Sequence, residues 1–231
     1  MERPILFSGP MVRAILEGRK TQTRRVVKEA IDRRTNEQAG AVHADGSGKG
    51  YVAWFPGTGM TAEKTVRAYP GEDGFKCPYG QPGDRLWVRE AFGYERCGHA
   101  MHVLHYRADD RLTGDDGYQW KPSIHMPRWA SRITLEFTGV RVERLQEISE
   151  EDAKAEGARW HDFGRCGSGA PLAGWSMENP FPDHFAKCLN TARMAFGNFI
   201  NKLHGGDNWN IKPTNLWDEN PWVWVIEFSK I

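Results

Sequence analysis

The stretch ASRITLEFTGVRVERL, residues 130–145, constrains the fold more than any other part of the chain. Apolar and polar residues alternate over a long span, with Ile133, Leu135 and Phe137 on one side and Thr134, Glu136 and Thr138 on the other. That period of two belongs to a strand with one face on a core and the other toward polar surroundings. Gly139 marks a bulge or a bend in it. A strand of this length needs partners, and the chain offers several. WVWVIEF near the C-terminus is strongly β-prone, QPGDRLWVREAF is a Pro-Gly-Asp turn entering a strand, and Ile5–Phe7 is a short apolar run. HVLHYRA and YVAWF are further short strand candidates.

Helical patterns are fewer. Pro10 opens MVRAILE, in which Met11, Ala14 and Ile15 share a face and Gly18 stands where a left-handed C-cap belongs. ISEEDAKAEGA has Ser149 as N-cap, acidic residues in its first turn and Gly157 after its last, with Glu156 at the C-terminal end. The longest pattern is capped by Asp183 and runs through Phe185, Leu189, Ala192, Phe196, Phe199, Ile200 and Leu203 to His204-Gly205-Gly206. The Gly/Pro-rich residues 160–182 read as loop, and residues 28–80 as an insertion or flexible flap. Short strands interrupted by a few helices predict an α+β chain, long enough for one large domain or two small ones. Its expected core is a mixed β-barrel with flanking and inserted helices.

Charge narrows the functional classes. The 231 residues carry a net charge of only +1, which excludes a bulk basic nucleic-acid binder. Between Arg13 and Arg34, however, eight Lys or Arg stand against three Asp or Glu, a local +5. A polyanion should meet that segment first. No apolar run is long enough for a membrane span and the N-terminal residues lack a long apolar signal region, so the expected location is cytoplasmic. Cys77, Cys97, Cys166 and Cys188 form no CxxC pair and read as reduced thiols. CGHAMHVLH offers Cys97, His99, His102 and His105 without a standard zinc spacing, so neither metal nor other cofactor is expected.

The chemistry-bearing stretch is GRKTQTRR, Gly18 to Arg25. By composition alone it is either a solvated basic helix end or a site, because charge runs are usually solvated faces. In a strand its alternation sets Thr21, Thr23 and Arg25 on one face, with Gln22 and Arg24 on the other.

Gly18, Lys20, Thr23 and Arg25 fit the signature of the ASCH domain family, which ILEGRKTQTRR resembles. PGDRLWVRE, ITLEFTGVRVERLQEISEEDAKAEG and WVWVIEFSKI are similar to further parts of that family in the same order, and KCPYGQPGDRLWVRE and SIHMPRWASRI point to its longer phage and prophage members. The resemblance implies a PUA-like β-barrel related to RNA-binding modules, a single domain over residues 1–231 with insertions at 28–80 and 158–215. It also implies the chemistry of the family's N4-acetylcytidine amidohydrolase branch. Thr23 then matches the nucleophile, Lys20 the amine that activates it and Glu156 the helix carboxylate, with Glu150 or Glu151 as substitutes if that helix aligns with a gap.

A threonine hydroxyl is a weak nucleophile without a base beside it, and burial with arginine neighbours would turn Lys20 toward that role. Arg25 would hold the substrate's carbonyl oxygen or ribose, or pair with Glu156 as a structural bridge. Arg24 falls to phosphate or solvent. Arg89 and Glu90 point to opposite faces of a strand, one of them lining the pocket or both forming a surface charge pair. The implied partner is a modified pyrimidine nucleoside, or a nucleic acid carrying one, with RNA favoured over DNA. The rival reading is a module that binds the base without reacting. Trp222 and Trp224 read as barrel packing rather than a stacking platform.

Overall fold

A computed structural model describes residues 1–27, 30–31, 38–39, 77–94, 104–109, 119–178, 182–205 and 216–231. In chain order its elements are β1 (Glu2–Leu6), α1 (Gly9–Leu16), β2 (Gln22–Val26), β3 (Ala30–Ile31), β4 (Gln38–Ala39), β5 (Arg85–Arg89), β6 (Phe92–Tyr94), β7 (Leu104–Tyr106), β8 (Gln119–Lys121), β9 (Thr134–Arg144), α2 (Glu150–Ala155), β10 (Arg159–Arg165), β11 (Pro171–Ser176), α3 (Ala192–Gly205), α4 (Leu216–Glu219) and β12 (Trp222–Lys230). The fold is mixed α+β with several sheets.

The principal sheet has the order β1-β5-β9-β12-β2. Only β1 and β5 run parallel; the other pairs are antiparallel. At its centre the alternating stretch becomes β9, paired along most of its length with β12. The register slips once: Glu227 pairs with Gly139 but Phe228 with Phe137, leaving Thr138 as the extra residue of a bulge. The slip reverses the parity of the strand. Leu135 and Phe137 face the core before it, and Val142 faces the same core after it. A Cβ on residue 139 would stand 2.7 Å from the Glu227 carboxylate, so a larger residue there requires the end of that side chain to move.

Each face of the sheet carries a core. On the first, Ile5, Phe7, Leu86, Val88, Leu135, Phe137, Ile226 and Phe228 pack with Met11, Val12 and Ile15 of α1. On the second, Val223 and Val225 pack with Ala153 of α2 and Phe196 and Ile200 of α3. Burial at this scale, at roughly 25 cal/mol per Å² of apolar surface, supplies most of what holds the layers together. A smaller sheet, β7-β6-β8, covers its own cluster of Phe92, Met126 and Ala130.

Three expectations change. Among the described residues the principal sheet does not close into a barrel: β1 and β2 are its edges, with no ladder between them. The edges are linked instead by α1 and by Arg25, whose Nη2 donates to the Leu6 carbonyl across 2.5 Å. Residues 160–182, expected as loop, contain the β10–β11 hairpin. Gly169, at φ +83°, serves the connecting turn and Gly164, at φ +86°, the register shift within β10, so glycines that suggested loop belong to a strand pair.

The long helix starts at Ala192, not near Asp183, and Phe185–Lys187 is a separate 3-10 turn with Phe185 exposed. The Glu150 carboxylate accepts from the amides of Ala192 (2.9 Å) and Arg193 (3.2 Å), and so provides the N-terminal anion from another helix. The segment expected as an insertion at 158–215 thus supplies α3, one wall of the second core. Most of the predicted insertion at 28–80, with the YVAWF strand, lies outside the described residues.

Candidate functional site

The site is made where two helices end against each other. Helix α1 starts with Pro10 in its first turn and stops at Gly18, φ +73°, after which the amides of Arg19 and Lys20 both donate to the Ala14 carbonyl (2.9 and 3.0 Å). Helix α2 starts at Ser149, whose hydroxyl accepts from the Asp152 amide (3.0 Å), and stops at Gly157, φ +112°. Thr21 N donates to the Ala155 carbonyl (2.9 Å), which docks the α1–β2 turn on the last turn of α2.

Lys20 lies in the join. Its Nζ donates to the Glu156 carboxylate (Oε2, 2.5 Å) and to the Glu156 carbonyl (2.9 Å). Arg19 Nη1 donates to the Gly157 carbonyl at 2.7 Å. Both cations therefore sit on the carbonyl end of α2, where its dipole and unpaired acceptors favour positive charge. The Lys20 and Glu156 side chains are 0% and 2% exposed. Burial holds the Lys20 amine below its ordinary range, aided by Arg25 and Arg24 and opposed by Glu156.

Thr23 and Arg24 diverge from neighbouring positions of β2. Thr23 pairs with Ile226 and shares the first core's face; it is fully buried and its Oγ1 has no hydrogen-bond partner. Such an orphan hydroxyl costs about 1–3 kcal/mol. Arg24 pairs with Val225 and faces the second core. Its Nη1 donates to Glu156 Oε1 (3.1 Å), its Nε to Glu143 Oε1 (3.0 Å) and its Nη2 to Asp152 Oδ2 (3.1 Å), with a further close contact to Glu143. Arg141 closes the network, donating to Asp152 (2.8 Å) and Glu143 (3.2 Å) and contacting Glu227.

Of the expected residues, Lys20 and Glu156 come together directly and Thr23 lies buried three positions along without a bond to either. Arg24 is the correction. Expected on phosphate or solvent, its side chain is 1% exposed and held by three carboxylates. Arg24, not Arg25, is the arginine on Glu156. Arg25 is half-buried over the Phe7 ring (5.3 Å to the centroid), and the same ring lies 5.9 Å from Lys20 Nζ. Glu150 caps α3 and Glu151 is exposed, which leaves Glu156 as the α2 carboxylate on Lys20.

Arg89 and Glu90 belong elsewhere. Arg89 contacts the Ile124 carbonyl and lies over Trp87, 5.4 Å from the ring centroid. Glu90 is buried and bound by Arg132 at 2.9 and 3.0 Å. Trp224 is core and Trp222 stacks under Arg144, 4.3 Å from its ring centroid. Glu143, Asp152 and Arg141 are the residues that sequence reasoning missed. For Arg141 and Glu143 the signal lay in the parity change at Gly139, which puts them on the face that Arg24 shares. Among the described residues no three His, Cys, Asp or Glu side chains are grouped to hold a metal ion, while Cys97, His99 and His102 fall outside them. No described helix is long and apolar enough to cross a membrane. No known family, curated protein or solved structure matches the chain.

Proposed function

We propose that the chain is an ASCH-type, PUA-like domain whose Lys20–Thr23–Glu156 site hydrolyses an N4-acyl amide of cytidine. The observation that carries this reading is the buried Lys20–Glu156 pair together with the buried, unpartnered hydroxyl of Thr23, three residues along from Lys20. A protein core rarely keeps an unsatisfied hydroxyl, and a neighbouring amine pushed toward its neutral form is the base such a hydroxyl needs.

In this reading Lys20 passes a proton to Glu156 and takes the proton of Thr23. The Thr23 oxygen adds to the acyl carbon, the bond from that carbon to N4 breaks, and the proton stored on the pair goes to N4, releasing cytidine. Water then cleaves the Thr23 ester, freeing the carboxylic acid and restoring the hydroxyl. Arg25, at the half-buried rim above Phe7, is the residue to hold the substrate's carbonyl oxygen or ribose. Because Thr23 is sealed from solvent, the rim must part to admit substrate.

The test is release of cytidine from N4-acetylcytidine, as nucleoside and within an oligonucleotide, by wild type, Lys20→Ala and Thr23→Ala. Turnover should fall to background in both variants. Equal turnover in all three sinks the reading. One observation favours a module that binds without reacting: Thr23 makes no hydrogen bond to Lys20. Absence of turnover, with oligonucleotide binding that weakens with salt and on Arg25→Ala, would establish that alternative.

A further inference from the structure

Resting on the amidohydrolase reading, the geometry points to Arg24 as a positioning residue of the site: it grips one oxygen of Glu156 so that the other stays on Lys20. A residue that merely tied β2 to α2 and β9 would need only Asp152 and Glu143. Arg24 holds both, and its third arm reaches Glu156 Oε1 while Lys20 holds Oε2. The carboxylate is thereby divided between two cations, Lys20 in the turn after α1 and Arg24 on β2. A glutamate's terminal torsion is broad and roughly two-fold, so a second anchor is what stops it from turning. The planar guanidinium suits this task, since it presents several donors in a rigid fork.

Arg24 is itself immobilised. Glu143 and Asp152 also bind Arg141, and the Arg24 guanidinium lies 5.7 Å from the Phe196 ring centroid. The charged groups facing Lys20 are Glu156 from α2 and Arg24 and Arg25 from β2. Removing the Arg24 charge takes away one repulsion, which favours the ammonium form and weakens Lys20 as a base.

The experiment uses Arg24→Lys, which keeps the charge but loses the fork, and Arg24→Gln, which loses both. Nitrogen-15 NMR of the Lys20 ammonium reads the pairing with no need for turnover. In Arg24→Lys its protons should exchange with water on the order of tenfold faster as the carboxylate is freed to turn. In the hydrolysis of N4-acetylcytidine, kcat should fall on the order of 100-fold with KM nearly unchanged, as for a displaced catalytic group. In Arg24→Gln the ascending limb of the pH–rate profile should also move to higher pH, a change that a structural tie would not produce. Wild-type exchange at Lys20 in folded Arg24→Lys overturns the assignment, even if Arg24→Gln does not fold. If wild type hydrolyses nothing, the amidohydrolase reading falls, and the ammonium exchange still judges whether Arg24 holds Glu156 on Lys20.

Discussion

Thr23 sets the sharpest question at the scale of single residues, because its hydroxyl is fully buried and bonded to nothing while the rest of its side chain packs normally in β2. Replacing it with valine keeps the shape and removes the orphan. Thr23→Val should raise unfolding stability by about 1 kcal/mol, read from the urea midpoint, while abolishing turnover. A loss of stability would mean that the hydroxyl is satisfied in solution and would remove the reason for singling it out. A residue that weakens the fold yet performs the chemistry is the expected trade at an active site. Lys20 and Glu156 show the same tension, since an ion pair this deep gains little over an apolar pair yet is costly to break from one side.

Among the elements, the junction of α1 and α2 depends on two glycines with different demands. A Cβ on residue 157, at φ +112°, would meet the Ala14 Cβ at 3.1 Å and the Lys20 Cβ at 3.8 Å. A Cβ on residue 18, at φ +73°, would meet nothing within 4 Å. Gly18→Ala should therefore cost only the backbone term, about 1–2 kcal/mol. Gly157→Ala adds a helix–helix clash and should cost more, while speeding exchange of the Thr21 amide that docks on α2. Calorimetry on the two variants decides it, and the reverse order would show that the helix ends do not abut.

These two glycines, Ser149 and the alternation of β9 were legible in the sequence because each acts on its own neighbours. The start of α3 was not, because its capping carboxylate, Glu150, comes from another helix and the local signal at Asp183 outweighed it. The β10–β11 hairpin was hidden because its turn glycines resemble those of a loop. Arg24 was misread for a related reason. Its position on β2 was clear, but the carboxylates that claim it come from β9 and α2.

For the molecule as a whole, the basic N-terminal segment looks different once folded. Among its described residues Arg13 donates to the Ala108 carbonyl, Arg19 to Glu17 and Gly157, Lys20 and Arg24 to Glu156, and Arg25 to Leu6. The described cations of this segment are thus turned onto the protein itself, and Lys20 and Arg24 tie it to the end of α2 and to β9. Stability should then depend on pH through the carboxylates that answer it. For Asp152, burial alone would raise the pKa, but Gln22, Arg141 and Arg24 outweigh it and hold the carboxyl below its ordinary 3.8. The unfolded chain therefore takes up that proton first, and the contribution of Asp152, complete above 3.8, is lost as pH falls through the folded value. Glu90 has the opposite sign: burial raises it above 4.5 against the pull of Arg132, so the folded state binds its proton first and gains stability as pH falls through the raised value. Unfolding free energies measured from pH 7 to pH 2 should separate the two. Asp152→Asn should lower stability at neutral pH and flatten the decline below 3.8, and Glu90→Gln should change only the slope above 4.5. If Asp152→Asn leaves the acid limb as steep as wild type, the network around Arg24 is not what carries the charge balance of the fold.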